Sequence, residues 1–122
     1  MSSYKQSANY DEAREGTDQV QANLNPRVPS FVKTMLRSHV IRGFWLGLPS
    51  GFCKAHLPKQ DVTVTLVDEN GQKYFTNYLS RKLGLSGGWK EFAVAHSLVV
   101  GDTIVFQLVN RTTFKVTFIH NC

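Results

Sequence analysis

At 122 residues, 42% of them hydrophobic and 19% charged, the chain has room for one modest core and is too short for most multidomain enzymes. A mean hydropathy of −0.22 with a pI near 9.4 excludes the low-hydrophobicity, high-charge composition of a disordered chain. No apolar run approaches the roughly 18 residues of a membrane span, and residues 1–25 lack the apolar stretch of a signal peptide. An intracellular protein is therefore expected. Two cysteines, Cys53 and Cys122, fall short of a disulfide scaffold and fit a reducing compartment, where the glycosylation triplet Asn110-Arg111-Thr112 would have no use.

Residues 1–24 set Lys5 and Arg14 against Asp11, Glu12, Glu15 and Asp18, and their large apolar residues are only Tyr4, Tyr10, Val20 and Leu24. So little apolar surface does not offset the entropy of ordering. A flexible tail is expected over 1–24, with a short helix through Asp11–Gln21 as the weaker alternative. The folded domain is expected over 25–122, which carries 12 basic and 5 acidic residues.

Within that domain the dominant pattern has period two, which places alternate residues on one face of a sheet. Phe31–Thr34 and Phe44–Leu48 are short strand candidates joined by the charged segment Met35–Gly43. Pro49-Ser50 is expected to start a helix with Ser50 as its cap, and Pro58 stops it. Val62, Val64 and Leu66 then share a face, Asn70-Gly71 supplies a positive-φ pair for a tight hairpin, and Lys73–Tyr78 returns antiparallel. Trp89, Phe92, Ala93 and His96 form one helical stripe. Ile104, Phe106 and Leu108 alternate, as do Phe114, Val116, Phe118 and His120, and a polar Asn110–Thr113 turn separates the two runs. Five to seven short strands with two small helices predict a mostly-β barrel, each helix plugging one end, because closure hides the apolar face and the edges.

Two motifs with chemical connotations give way to plainer readings. Gly84-Leu85-Ser86-Gly87-Gly88 matches the Gly-x-Ser-x-Gly of hydrolases, but that motif needs a parallel sheet with acid and histidine partners. A glycine-rich connector into the Trp89 helix is expected instead. Cys53, His56, His120 and Cys122 are competent zinc ligands at poor spacing. Cys53 is read as a small apolar residue and His120 as the end of a strand, so no metal is expected, and without a close pair of carboxylates no acid–base catalysis is expected either.

The basic residues are more informative because they gather in two connectors. Lys33, Arg37, His39 and Arg42 surround the first. Asn77, Tyr78, Ser80, Arg81 and Lys82 make the second. Cations replace counterions on phosphates, while Arg, Lys, Asn and Gln reach base edges in the major groove. Both kinds occur here.

From about Ser30 to Ile119 the chain resembles the plant B3 DNA-binding domain. The resemblance is carried in order by Phe31-Val32-Lys33, Ser38-His39-Val40, Leu46-Gly47-Leu48-Pro49, His56-Leu57-Pro58, Gly88-Trp89-Lys90-Glu91-Phe92, and Leu98-Val99-Val100-Gly101-Asp102 leading into Val105-Phe106. It implies a seven-stranded open β-barrel with two short helices, no cofactor, and two arms that grip the major groove of double-stranded DNA. The arms would be Met35–Gly43 and Asn77–Lys82, Gly101-Asp102 a structural turn, and Trp89 and Phe92 core residues. The residues expected at DNA are Lys33, Arg37, Ser38, His39, Arg42, Lys73, Asn77, Tyr78, Ser80, Arg81, Lys82 and Lys90. Two departures, His39 where relatives often carry an acid and Trp45 where several carry a cation, suggest a divergent subgroup close to the reproductive-meristem type. The expected role is a nuclear transcriptional regulator with no membrane or small-molecule partner. The competing expectation is a barrel used as a protein-interaction module, docking partners through apolar surface near Trp45.

Overall fold

The computed structural model describes residues 27–119. The tail expected over 1–24, and the side chains of His120 and Cys122, lie outside the described residues. In chain order the elements are β1 (Ser30–Thr34), α1 (Arg37–Val40), β2 (Leu46–Gly47), α2 (Ser50–His56), β3 (Val62–Val67), β4 (Lys73–Leu79), β5 (Gly84–Leu85), α3 (Trp89–Ala95), β6 (Thr103–Asn110) and β7 (Thr113–Ile119). The strands form one seven-stranded sheet in the order β1-β6-β7-β3-β4-β5-β2. Every neighbouring pair is antiparallel except β3 with β7. β1 and β2 are the two edges, so the curled sheet is an open barrel, and the segment between them in sequence links one edge to the other.

The period-two pattern decides what lies inside. Val64, Leu66, Ile104, Phe106, Phe114 and Val116 are completely buried and face one another across the curl. A fully buried Leu or Phe contributes about 2 kcal/mol against about 1 kcal/mol net for a ladder hydrogen bond, so apolar register rather than backbone pairing selects this arrangement. Two aromatic groups seat the longer helices. Phe52 of α2 packs edge-on to Phe31, which stacks on Phe106 at 4.8 Å. Trp89 and Phe92 of α3 stack at 5.4 Å, and Phe92 meets Tyr74 edge-on. Gly88 precedes α3 at φ +90, and a Cβ there would sit 2.0 Å from the Phe75 carbonyl oxygen. Only glycine fits that approach.

Four local expectations are corrected. Ser50 is the first helical residue of α2 and Pro49 occupies the cap without a side-chain bond. The hairpin is not a two-residue turn with both central residues at positive φ, because Gly71 alone has one, at +83. Instead the Gly71 N–H donates to the Asp68 carbonyl and the Asp68 N–H to that of Gln72, the geometry of a three-residue loop with a left-handed third residue. The Asp68 carboxylate accepts the Asn70 and Gln72 N–H groups and His96 Nε2, all at 2.9 Å. Burial opposes its ionisation, yet bonds from His96, Gln72 and Asn70 hold its pKa below the usual carboxylate value. The Phe44–Leu48 strand shrinks to Leu46–Gly47 because Phe44 adopts φ +44. Finally, there are three short helices among the described residues rather than two, the extra one being α1 inside the first charged connector.

A four-residue helix does not hold itself together. α1 is held by two side chains. His39 Nδ1 accepts the Leu36 N–H at 2.9 Å, while the His39 N–H returns to the Leu36 carbonyl at 3.0 Å, a reciprocal closure of the first turn. From the core, the Trp89 indole N–H donates to the His39 carbonyl at 2.8 Å in a buried bond. His39 is only 5% exposed. Desolvation, helped by the nearby charge of Lys33, lowers its pKa from 6.5 to about 4. Neutral imidazole is also what the bond requires, since a protonated Nδ1 has no lone pair for Leu36.

Between pH 6.5 and 4 the unfolded chain takes up a proton at His39 that the folded chain refuses. The stability carried by neutral His39 is therefore complete above pH 6.5, falls as pH drops to 4, and is flat below, a loss on the order of 3 kcal/mol. Urea melts across that window should show the decline, and His39→Gln should flatten it. A Trp89→Phe variant removes the indole donor and strands a buried carbonyl, which together with the smaller ring should cost about 3 kcal/mol in the same melts.

Candidate nucleic-acid interface

The first connector turns its residues two ways. His39 points inward to its bonds, and Arg37, Ser38 and Arg42 are exposed. Lys33 precedes the connector on β1, opposite Ile104 of the core-facing row, and is half-buried. Desolvation lowers its pKa, partly offset by Cys53. It is thus a wall of the barrel mouth rather than an outstretched cation. Lys90, on the first turn of α3, is exposed and reaches back to this connector with its ammonium 5.3 Å from the Phe44 ring centroid.

The second connector divides similarly. Arg81 and Lys82 are exposed, and the chain turns back at Leu83 with φ +55. Tyr78 is 1% exposed. Burial raises its phenol pKa, and a hydrogen bond with Cys53 raises it further. Ser80 spends its N–H and its hydroxyl on Asp61 Oδ1, at 2.8 and 3.1 Å. Asn77 lies on the exposed row of β4 with Lys73 and Phe75, and its backbone pairs with the Gly87 carbonyl and the Ser86 N–H at 2.8 and 2.9 Å.

Two of the twelve residues expected at DNA lie inside the structure. His39 and Tyr78 are buried because one holds α1 and the other fills the core. Arg37, Ser38, Arg42, Lys73, Asn77, Arg81, Lys82 and Lys90 are exposed, and Ser80 and Lys33 are half-buried.

What joins the connectors is a ladder of only two residue pairs. Leu46 pairs with Leu85 and Gly47 with Gly84, so the first connector enters one end of a two-residue ladder, about 7 Å long, and the second enters the other. The Trp45 indole lies across its face, close enough that a Cβ on Gly84 would fall 2.3 Å from Cζ2 and one on Gly47 3.7 Å from Nε1. The Ser38 carbonyl accepts the Trp45 N–H at 3.2 Å, and the Leu83 carbonyl the Leu48 N–H at 2.8 Å. Trp45 thus packs against backbone and couples the two connectors.

Cys53 sits in the core, where burial raises its thiol pKa. No three His, Cys, Asp or Glu side chains among the described residues converge on a metal site. Ser86 contacts the Asn77 carbonyl at 3.4 Å through its hydroxyl, within a connector that runs from β5 to α3. Lys54 and Lys59, on and after α2, went unmarked in the sequence because no pattern there places them beside Arg81; both line a concavity with it.

The sequence model of the B3 DNA binding domain matches residues 31–121. The B3 domain-containing protein At5g42700 of Arabidopsis thaliana is 59% identical over 106 residues, spanning 87% of this chain and 50% of that protein. The chain thus covers about half the length of this relative. Among solved structures, the hypothetical Arabidopsis thaliana protein At1g16640.1 superposes with a TM-score of 0.65 at 22% identity, over 80% of this chain and 96% of that one. The Arabidopsis FUS3–DNA complex gives 0.57 at 22% identity, over 75% and 97%. An open barrel of this strand order, with a family match across nearly all of its described residues, places the chain in the B3 DNA-binding domain family.

Proposed function

We propose that this chain is the sequence-preferring double-stranded DNA-binding module of a plant transcriptional regulator, working in the nucleus and gripping the major groove with its two basic connectors. The observation that carries the reading is the pairing of those connectors at opposite ends of the β2–β5 ladder, with Arg37 and Arg42 exposed on one and Arg81 and Lys82 on the other. Fixed cations on a rigid mount lose little entropy on docking and displace counterions from phosphates. Asn77 and Ser38 supply neutral donors and acceptors for base edges or sugar-phosphate oxygens, and Lys33, Lys73 and Lys90 widen the positive field. The proposal involves no cofactor, small-molecule substrate or catalytic residue. The FUS3 neighbour, solved with DNA, supports it.

A second reading, docking of a protein partner, has its own observation. The Met35 N–H donates to the Asp102 carbonyl and the Gly101 N–H to that of Met35, which sets exposed Leu36 beside exposed Val99 and Val100. This is apolar surface that includes Leu36 of the first connector itself.

Four or five phosphate contacts should give a log–log dependence of affinity on salt with slope about −4. In the Arg81→Ala/Lys82→Ala double variant the slope should shrink by about 1.8 with thermal stability unchanged, measured by fluorescence anisotropy on a duplex selected from a random pool. A flat salt response in the wild type would refute the DNA reading, and unchanged affinity in the double variant would favour the protein-docking one.

A further inference from the structure

A cavity of about 420 Å³ opens between α2, the Pro58-Lys59 turn and the end of β4. Its floor is apolar, formed by buried Cys53 and Tyr78 with half-buried Pro58 and Leu83, and three exposed cations, Lys54, Lys59 and Arg81, stand around it. None of the three forms an ion pair among the described residues. Asp61 does not line the cavity, and its Oδ1 is occupied by the N–H and hydroxyl of Ser80, which does. Like charges gathered over a low-dielectric wall focus a positive potential, which an anion relieves.

We propose that this cavity is a phosphate-binding site that receives a backbone phosphate from the flank of the bound duplex. The inference rests on the DNA-binding reading and extends it to Lys54 and Lys59, which lie outside both connectors. Phosphate suits the site because its oxygens accept from two ammonium groups and a guanidinium at once. The duplex, rather than a free phosphate ester, is favoured by Arg81, which belongs to the cavity and to the second connector alike. A strand tracked by that connector continues into the cavity without a break. The apolar floor matches the deoxyribose carbons on either side of the phosphate.

The experiment compares wild type with Lys54→Ala/Lys59→Ala on two duplexes, one trimmed to the selected core and one extended by flanks on both sides. Both lysines are exposed, so thermal melts should coincide. On the extended duplex the variant should lose about 0.9 from its salt slope, so that between 50 and 200 mM salt its affinity falls roughly three- to fourfold less than that of wild type. Its slope on the trimmed duplex, and its preference for the selected sequence over a scrambled one, should match wild type. Equal slopes for the two proteins on the extended duplex would overturn the proposal. In a parallel arm inorganic phosphate is titrated while the Arg81 Nε resonance is followed. Saturation at low millimolar phosphate with unchanged duplex slopes would assign the cavity to a free phosphate ester and overturn the duplex assignment. Salt-independent binding by wild type itself would instead remove the DNA reading, a result obtained without the variant.

Discussion

One buried hydrogen bond, from the Trp89 indole to the His39 carbonyl at 2.8 Å, determines how the first connector meets the rest of the molecule. The segment from Met35 to Trp45 runs between the two edge strands of an open sheet and has no ladder of its own. Its only regular structure is a helix of four residues, far below the length at which a helix persists alone. The indole donor, delivered from a core aromatic, supplies the missing fixed point. With His39 held inward, Arg37, Ser38 and Arg42 are left outside. The orientation of the cations is thus a by-product of where the core places one tryptophan.

The second constraint is steric. Gly47 and Gly84 face each other on a two-residue ladder, and the Trp45 ring occupies the space a side chain on Gly84 would have taken. A cation at position 45 would stretch into solvent and search for an anion. An indole there instead ties the start of β2 to the start of β5, exchanging a mobile charge for a rigid spacing between connectors. Rigidity of this sort lowers the ordering cost of binding. This explains how a first connector with few cations is compatible with family membership.

The polar groups that turned out to be engaged share a physical origin. His39 lies on α1 within the first connector, Tyr78 near the end of β4 and Ser80 just beyond it, and each is used to hold its segment to the rest of the fold. His39 caps Leu36, Ser80 holds Asp61, and Tyr78 closes over Cys53. Residues farther along each connector, Arg42, Arg81 and Lys82, have no such duty. Charge that is unneeded by the fold remains available to a ligand. The same logic marks Lys54, on a helix that Phe52 anchors to the core, and Lys59, in the turn that follows it.

The period-two runs at Val62–Val67, Lys73–Leu79, Thr103–Asn110 and Thr113–Ile119, and the stripe from Trp89 to His96, were legible in the amino-acid order because burial acts on every second or every third and fourth residue within one element. The family pattern was legible in part for the same reason, since Phe31, Leu46, Leu57, Trp89, Phe92, Leu98 and Phe106 belong to that core. The sequence by itself therefore determined the barrel, its hairpins and the α3 helix. Tertiary structure alone decided which polar residues of the connectors face outward, that α1 exists, that Trp45 lies on two glycines, and that Lys54 and Lys59 share a cavity with Arg81. Each of those depends on a contact between residues far apart in the chain, such as His39 and Trp89, and a distance that only folding closes leaves no periodicity to read.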